Sequence, residues 1–212
     1  MNFPLPADQE EYMKLYMAER SGNAYKARLL LSLLKIPYEK VAIDLAKREH
    51  KQPHYLKLSP RGQVPVLEDG GRVFWDSTAV LVYIARKHGG ETWLPAEPGD
   101  MAEIMQWMAL AQNEIHYGLQ FARAIVNLGR PGNLEECETH GRTALRVLDE
   151  RLANHDWLAL ERMTIADVAC FPYVAMAPDA NISLDEYAAV GAWIARVQAL
   201  PGYIPLPSLR KS

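Results

Sequence analysis

The first feature with chemical meaning is a proline inside an apolar run, Gln63-Val64-Pro65-Val66-Leu67. Proline has no backbone N–H and disfavours the interior of a sheet, so Pro65 is expected to open a strand, with a cis bond as one way to do so. Val64 is then held just outside the sheet, where its N–H and C=O can pair with an extended ligand, as in strand addition. This pattern predicts a binding segment for a peptide backbone.

The second feature is Asp76-Ser77, nine residues after Leu67, which has the pattern of a helix cap and a first helical turn. The free N–H groups and the dipole of a helix N-terminus favour an anion, such as a carboxylate. A backbone-binding segment beside a carboxylate site predicts a small, charged peptide ligand.

The charge balance and the cysteine content argue against several kinds of partner. The chain has 212 residues, a net charge of −3 and scattered basic residues, which predicts no nucleic-acid binding. Its apolar runs are too short to span a bilayer and residues 1–6 do not resemble a signal peptide, so no membrane is expected. Cys137 and Cys170 lie far apart and form no disulfide framework, which favours a reducing cytoplasm.

The elements that must position these residues change in character near residue 90. Before it, hydrophobic periodicity predicts strands over residues 13–17, 38–43, 64–68 and 72–75, and helices over residues 23–35, 48–58 and 77–88. The order is βαβ followed by αββα, which predicts a small mixed sheet with helices on its faces.

After a linker over residues 90–99, the chain is predicted to be all helical. One helix is expected over residues 101–128, with apolar residues on two faces, one of them against a second subunit; others are expected over residues 135–154 and 184–200. Thr164 and Asp167 form a capping-box variant that opens a further apolar helix, which Pro172 is expected to bend.

In this order and spacing, the motifs resemble those of the cytosolic glutathione transferases over nearly the whole chain. They are residues 21–28, residues 50–60, Gln63-Val64-Pro65, Asp76-Ser77 and Thr164-Ile165-Ala166-Asp167. The resemblance implies a thioredoxin-like domain over residues 1–89 that binds glutathione. It implies an all-helical domain over residues 100–212 that supplies the pocket for an electrophile.

The catalytic chemistry concerns the glutathione thiol, whose ordinary pKa of about 8.5 leaves little thiolate at neutral pH. A side chain that donates a hydrogen bond to the sulfur lowers that pKa. By its spacing to Arg28, Ser21 matches the donor of serine-type members, whereas the donor of tyrosine-type members would fall at Met17. Asn23 is the rival donor, since its amide can also donate to sulfur.

The resemblance assigns the remaining binding roles by position. Asp76 and Ser77 would hold the γ-glutamyl end, with Asp76 near the ammonium. Gln63 and Val64, beside Pro65, would flank the ligand backbone. His50 would contact the glycyl carboxylate, with Lys51 and Gln52 as alternatives. Tyr25 and Arg28 are expected to be structural, Arg28 through an ion pair with a neighbouring acid.

The predicted function is conjugation of the glutathione thiolate to hydrophobic electrophiles by a homodimeric enzyme. Glutathione would be a co-substrate, with no other cofactor. His50 and His54 are spaced like metal ligands on a helix, but no third ligand accompanies them, so no metal is predicted.

Three different functions also fit the sequence. A maleylacetoacetate-type isomerase shares the Gln63-Val64-Pro65 motif, but those isomerases carry a Ser-Ser-Cys-like run where this chain has Ser21-Gly22-Asn23. A glutathione-dependent disulfide-bond reductase with an asparagine or threonine donor also fits, and the donor would then be Asn23. A non-catalytic binding protein could use the same fold.

Overall fold

The computed structural model describes residues 13–207, so the parts of the predicted domains over residues 1–12 and 208–212 lie outside the described residues. The first domain contains a four-stranded sheet in the order β2-β1-β3-β4. The strands are β1 (Lys14–Met17), β2 (Glu39–Ala42), β3 (Val66–Asp69) and β4 (Arg72–Trp75). Strand β1 pairs in parallel with β2 and antiparallel with β3, and β3 pairs antiparallel with β4. The predicted thioredoxin-like arrangement is confirmed.

The first domain has three helices, and two of them, α1 and α3, carry the predicted apolar faces. They are α1 (Gly22–Leu33), α2 (Pro53–Leu56) and α3 (Ser77–Ile84). A 3₁₀ turn, Glu49–Lys51, precedes α2, and a π-helical turn, Ala85–Gly89, follows α3. The polar helix predicted over residues 48–58 is therefore two short pieces, because the backbone of Gln52 is extended before Pro53.

The third strand begins at Val66, two residues later than the range 64–68 predicted from the apolar run. The peptide bond between Val64 and Pro65 is cis, and the antiparallel pairing of β3 with β1 and β4 starts at Val66. Val64 is thus outside the sheet, as the proline pattern predicted.

The second domain is all helical, with α4 (Gly90–Trp93) lying inside the predicted linker. The other helices are α5 (Pro98–Gln112), α6 (Phe121–Leu128), α7 (Leu134–Leu152), α8 (Ile165–Ala175) and α9 (Ala188–Gln198), with a 3₁₀ turn at Ala177–Ala180. Helix α9 begins four residues later than residue 184, where the last helix was predicted to start. Within residues 13–207, no helix has the length and apolar character needed to cross a membrane.

The single helix predicted over residues 101–128 is wrong, since the chain there forms three segments. Helix α5 ends at Gln112, where Asn113 leaves the helical conformation (φ −105°, ψ −95°), and a π-helical segment, Ile115–Gln120, leads into α6. A Cβ atom on Gly118 would lie 2.3 Å from the backbone N of Gly141 in α7. This close approach needs glycine and brings the π-helical segment against α7.

The capping box predicted at the start of α8 is confirmed. Thr164 Oγ1 accepts a hydrogen bond from Ala166 N (3.2 Å), and the Asp167 carboxylate accepts one from Thr164 N (2.9 Å). Asp167 also accepts hydrogen bonds from Leu158 N (3.2 Å) and Trp193 Nε1 (3.0 Å). Burial raises the pKa of Asp167 to about 6, although these donors favour the carboxylate. One acid therefore joins α8, α9 and the preceding loop.

Replacing Asp167 with alanine should destabilise the protein by about 3 kcal/mol or more, because three buried N–H donors lose their acceptor. Urea denaturation of the wild type and Asp167→Ala would measure this loss. Asp167→Asn keeps one carbonyl acceptor and should fall between the two. The matched control is Glu186→Ala, an exposed acid just before α9. Equal stability of Asp167→Ala and Glu186→Ala would contradict the prediction.

Candidate functional site

A cleft between the two domains gathers most of the predicted binding residues. Its cavity, of about 230 Å³, is lined by Asn23, Arg61, Gln63, Val64, Pro65, Asp76, Ser77, Gln112, His116 and Tyr117. The N-terminal turn of α1, the segment before β3 and the start of α3 therefore meet at one place. The helical domain contributes Gln112, His116 and Tyr117.

The peptide unit of Val64 is open to a ligand in this cleft. Within residues 13–207, neither its N–H nor its C=O forms a hydrogen bond. The preceding residue is firmly held, because Tyr55 Oη (3.0 Å) and Ser59 Oγ (3.1 Å) both donate to the Gln63 carbonyl, and Gln63 N donates to Ser59 Oγ (3.2 Å). Because Gln63 is held in place, the N–H and C=O of Val64 keep a fixed orientation. Recognition of a peptide by strand addition requires such an orientation.

The start of α3 offers an anion-binding position beside this peptide unit. Asp76 adopts a positive φ of 78° and caps the helix by accepting a hydrogen bond from Thr78 N (2.9 Å). Ser77, only 5% exposed, is the first helical residue and lines the cavity. The N–H groups of this turn and the helix dipole attract a carboxylate.

Asp76 has two further partners, neither of which the sequence interpretation included. Arg61 Nη1 lies 3.1 Å from Asp76 Oδ2, and Gln112 Nε2 donates to Asp76 Oδ1 at 3.3 Å and to Thr78 Oγ1. Arg61 precedes the Gln63-Val64-Pro65 motif by two residues, and that proximity was the signal that could have found it. Gln112 comes from α5, and no local pattern indicates its position.

The two candidate thiol donors face different cavities at the N-terminus of α1. Asn23 lines the cleft, and its Nδ2 lies 3.5 Å from Gln120 Oε1, which also accepts a hydrogen bond from His116 Nδ1 (2.6 Å). Ser21 is the N-cap of α1, where its hydroxyl oxygen accepts a hydrogen bond from Ala24 N (3.2 Å). Ser21 lines a second cavity, of about 810 Å³, together with Arg20 and Gly22.

His50 is the one predicted binding residue that the structure places outside both cavities. It lies in the 3₁₀ turn before α2, and its Nδ1 is buried with no partner among the described residues. Burial and the neighbouring Lys51 and Arg48 lower the pKa of His50.

The two structural predictions for α1 agree with the geometry: Arg28 pairs with Glu19 at 2.8 Å, and Tyr25 is buried.

Two family models match consecutive parts of the sequence. Residues 11–86 match the N-terminal domain of glutathione S-transferases, and residues 124–201 match their C-terminal domain. Disulfide-bond oxidoreductase YfcG of Escherichia coli is 30% identical over 88% of this chain and 90% of its own length. The chain belongs to the glutathione S-transferase family.

Other proteins with similar sequence or structure have different names. Maleylacetoacetate isomerase of Pseudomonas aeruginosa is 28% identical over 82% of this chain and 86% of its own length. The crystal structure of a possible glutathione S-transferase from Rhodopseudomonas palustris superimposes with a TM-score of 0.86 at 35% identity, covering 93% of this chain and 99% of that one. Family membership therefore leaves the reaction type open.

This glutathione S-transferase buries a lysine beside the cleft, which the sequence interpretation missed. Lys26 follows Asn23 by three residues on α1 and is only 3% exposed. Its Nζ lies 5.4 Å from the ring centroid of Tyr173, and it forms no ion pair with any described residue. Burial lowers the pKa of Lys26 to about 8, an effect that Cys170 and Asp76 oppose. The sequence did contain a signal for Lys26, because a residue three positions after Asn23 on the same helix lies near it.

No group of three or more metal-ligating side chains occurs in the described part of this glutathione S-transferase. Both cysteines are free and buried, and burial raises the pKa of the Cys170 thiol. Cys170 Sγ points to the carbonyl of Trp107 (3.5 Å), as expected for a core thiol.

The buried charge of Lys26 should reduce stability at neutral pH. Because the folded state holds this proton more weakly than the unfolded chain, the cost is full below pH 8 and is relieved as the pH rises towards the unfolded value of 10.5. Lys26→Met should therefore be more stable than the wild type by ~2 kcal/mol at pH 7, with a smaller difference at higher pH.

Urea denaturation of both proteins at neutral and alkaline pH would measure this difference. The matched control is Lys57→Met, an exposed lysine after α2. A Lys26→Met protein that is less stable than the wild type at neutral pH would refute this account of the buried charge.

Proposed function

We propose that the chain binds glutathione in the 230 Å³ cleft and transfers its thiolate to an electrophile in the adjoining 810 Å³ cavity. The observation that carries this proposal is the unpaired peptide unit of Val64 beside the N-terminus of α3. A tripeptide with a free carboxylate at one end matches both features. Family membership supports glutathione as that tripeptide.

In the proposed complex, the cysteinyl N–H and C=O of glutathione pair with the C=O and N–H of Val64. The γ-glutamyl carboxylate accepts hydrogen bonds from Ser77 and the first turn of α3, and its ammonium faces Asp76. Gln63 contacts the remaining polar groups of the ligand backbone. Arg61 offsets the negative charge that the ligand brings to the cleft, as its 3.1 Å contact with Asp76 supports.

In this orientation the sulfur lies at the N-terminus of α1, near Asn23. We assign the hydrogen bond to sulfur to Asn23, because Asn23 shares the cleft with Val64 while Ser21 faces the other cavity. The contact of Asn23 Nδ2 with Gln120 orients the amide, so that its second N–H can donate to the ligand. The dipole of α1 and the charge of Lys26 also favour the thiolate.

In the reaction itself, the thiol proton passes to solvent and the sulfur forms a bond to the electrophilic carbon, from which the leaving group departs with its electron pair. The protein contributes a lowered thiol pKa and proximity, because both reactants are held at the start of α1.

Disulfide-bond reduction is the second candidate function. The name of the E. coli relative and the position of Asn23 favour it, and turnover of a hydroxyethyl disulfide would separate it from conjugation.

The isomerase and the non-catalytic binding protein have less support. An isomerase of the maleylacetoacetate type would have Ser21-Gly22-Asn23 where a Ser-Ser-Cys-like run is expected. A non-catalytic binder would show no turnover with any electrophile. A homodimer in the cytoplasm remains our proposal for the assembled enzyme, and sedimentation analysis tests its stoichiometry.

The pairing with Val64 predicts that a glutathione analogue methylated at the cysteinyl nitrogen binds roughly tenfold more weakly than glutathione, since one backbone hydrogen bond is lost. Isothermal titration calorimetry of both ligands measures this ratio. Methylation of the glycyl nitrogen is the control and should have a smaller effect. No detectable heat with glutathione itself would remove the proposed function.

The assignment of Asn23 predicts that Asn23→Ala raises the pKa of the bound thiol by about 1 unit and lowers kcat/KM roughly tenfold, because a donor to the thiolate is lost. Ultraviolet titration of the thiolate in wild type, Asn23→Ala and Ser21→Ala compares the two donors directly. The Ser21→Ala shift should be the smaller one. The reverse order would transfer the donor role to Ser21.

A further inference from the structure

The 810 Å³ cavity has one apolar wall and one charged rim. The apolar wall comes from both domains: Ile43 and Leu45 follow β2, and Ala124 and Leu128 lie on α6. Leu45 is 40% exposed and Leu128 64% exposed, so this wall is open to a ligand. The volume is in the usual range for small-molecule pockets, roughly 300–1,000 Å³.

Some of the charged side chains that line this cavity form ion pairs, and others do not. Glu19 pairs with Arg28 at 2.8 Å, Asp44 with Lys47 at 3.5 Å, and Arg123 with Asp179 at 3.1 Å. The acids that line the cavity therefore already have cations beside them.

Two arginines that line the cavity, Arg20 and Arg130, differ from these paired side chains. Neither Arg20 nor Arg130 forms an ion pair within residues 13–207, and both are exposed. The Arg130 guanidinium lies 3.8 Å from the ring centroid of Phe121, which holds it in place and leaves its N–H groups available. Arg20 is adjacent to Ser21, at the side of the cavity nearest the start of α1.

We propose that this cavity selects apolar electrophiles that carry a carboxylate, with the apolar body against Leu45 and Leu128 and the carboxylate at Arg20 and Arg130. Guanidinium groups bind carboxylates through paired N–H donors and through opposite charge, and a neutral electrophile lacks this charge attraction. This inference rests on the proposed function, because it names the substrate class of the same site.

The substrates for the test are a chlorodinitrobenzene with a para carboxylate and the matching neutral carboxamide. In both, the glutathione sulfur forms a bond to the ring carbon, chloride leaves with the electron pair of the broken bond, and the thiol proton goes to solvent. Dividing each kcat/KM by the uncatalysed rate constant with glutathione removes the difference in intrinsic reactivity.

The wild type should prefer the acid over the amide by roughly tenfold, and added salt should reduce the preference. In the double variant Arg20→Gln, Arg130→Gln the ratio of acid to amide should fall roughly tenfold. Arg142→Gln, an exposed arginine on α7 that does not line the cavity, is the matched control and should keep the wild-type ratio. An equal ratio in wild type and double variant overturns the inference.

Binding of the two product conjugates by calorimetry tests the inference without turnover. The acid conjugate should bind the wild type more tightly than the amide conjugate, and this difference should disappear in the double variant. If neither substrate is turned over but this difference in affinity is present, the transferase function fails while the selectivity stands. Equal affinities of the two conjugates for the wild type overturn the inference, whatever the activity.

Discussion

The candidate site depends on one backbone feature, the unpaired peptide unit of Val64. Val64 is half-buried, and within residues 13–207 its N–H and C=O have no hydrogen-bond partner. Here the ladder of β3 starts only at Val66, and the carbonyl of Gln63 is held by Tyr55 and Ser59. The chain therefore presents one donor and one acceptor in a fixed orientation at the edge of the cleft. In the proposed complex, a peptide ligand completes these two hydrogen bonds.

Charge at the site is arranged around this backbone feature. Arg61 and Gln112 are both directed at the carboxylate of Asp76, so the start of α3 is held by contacts from both domains. Lys26 places a buried cation one turn below Asn23, where burial disfavours the charged form of the side chain. Active sites commonly retain groups that destabilise the fold when those groups serve binding or catalysis.

The N-terminus of α1 separates the two cavities and contacts both. Asn23 belongs to the smaller cavity and Ser21 to the larger one, although only Gly22 stands between them in the chain. Gln120 connects the two sides, because its side chain contacts Asn23 and it also lines the larger cavity. Its position depends on the close approach of Gly118 to Gly141, which brings the π-helical segment against α7. In the function proposed above, glutathione and the electrophile are therefore bound by adjacent but different surfaces.

The fold class and the local features of the site follow from the amino-acid sequence alone. The proline after Val64, the Asp76-Ser77 cap and the capping box of Thr164 and Asp167 depend on short-range stereochemistry, and all three appear as predicted. Other features have no local signal in the sequence. They are the break of the helix predicted over residues 101–128, the contacts of Arg61 and Gln112 with Asp76, and the position of His50 outside the lining of both cavities. The physical reason is that these outcomes depend on which distant residues meet across the cleft, and packing rather than periodicity fixes those contacts.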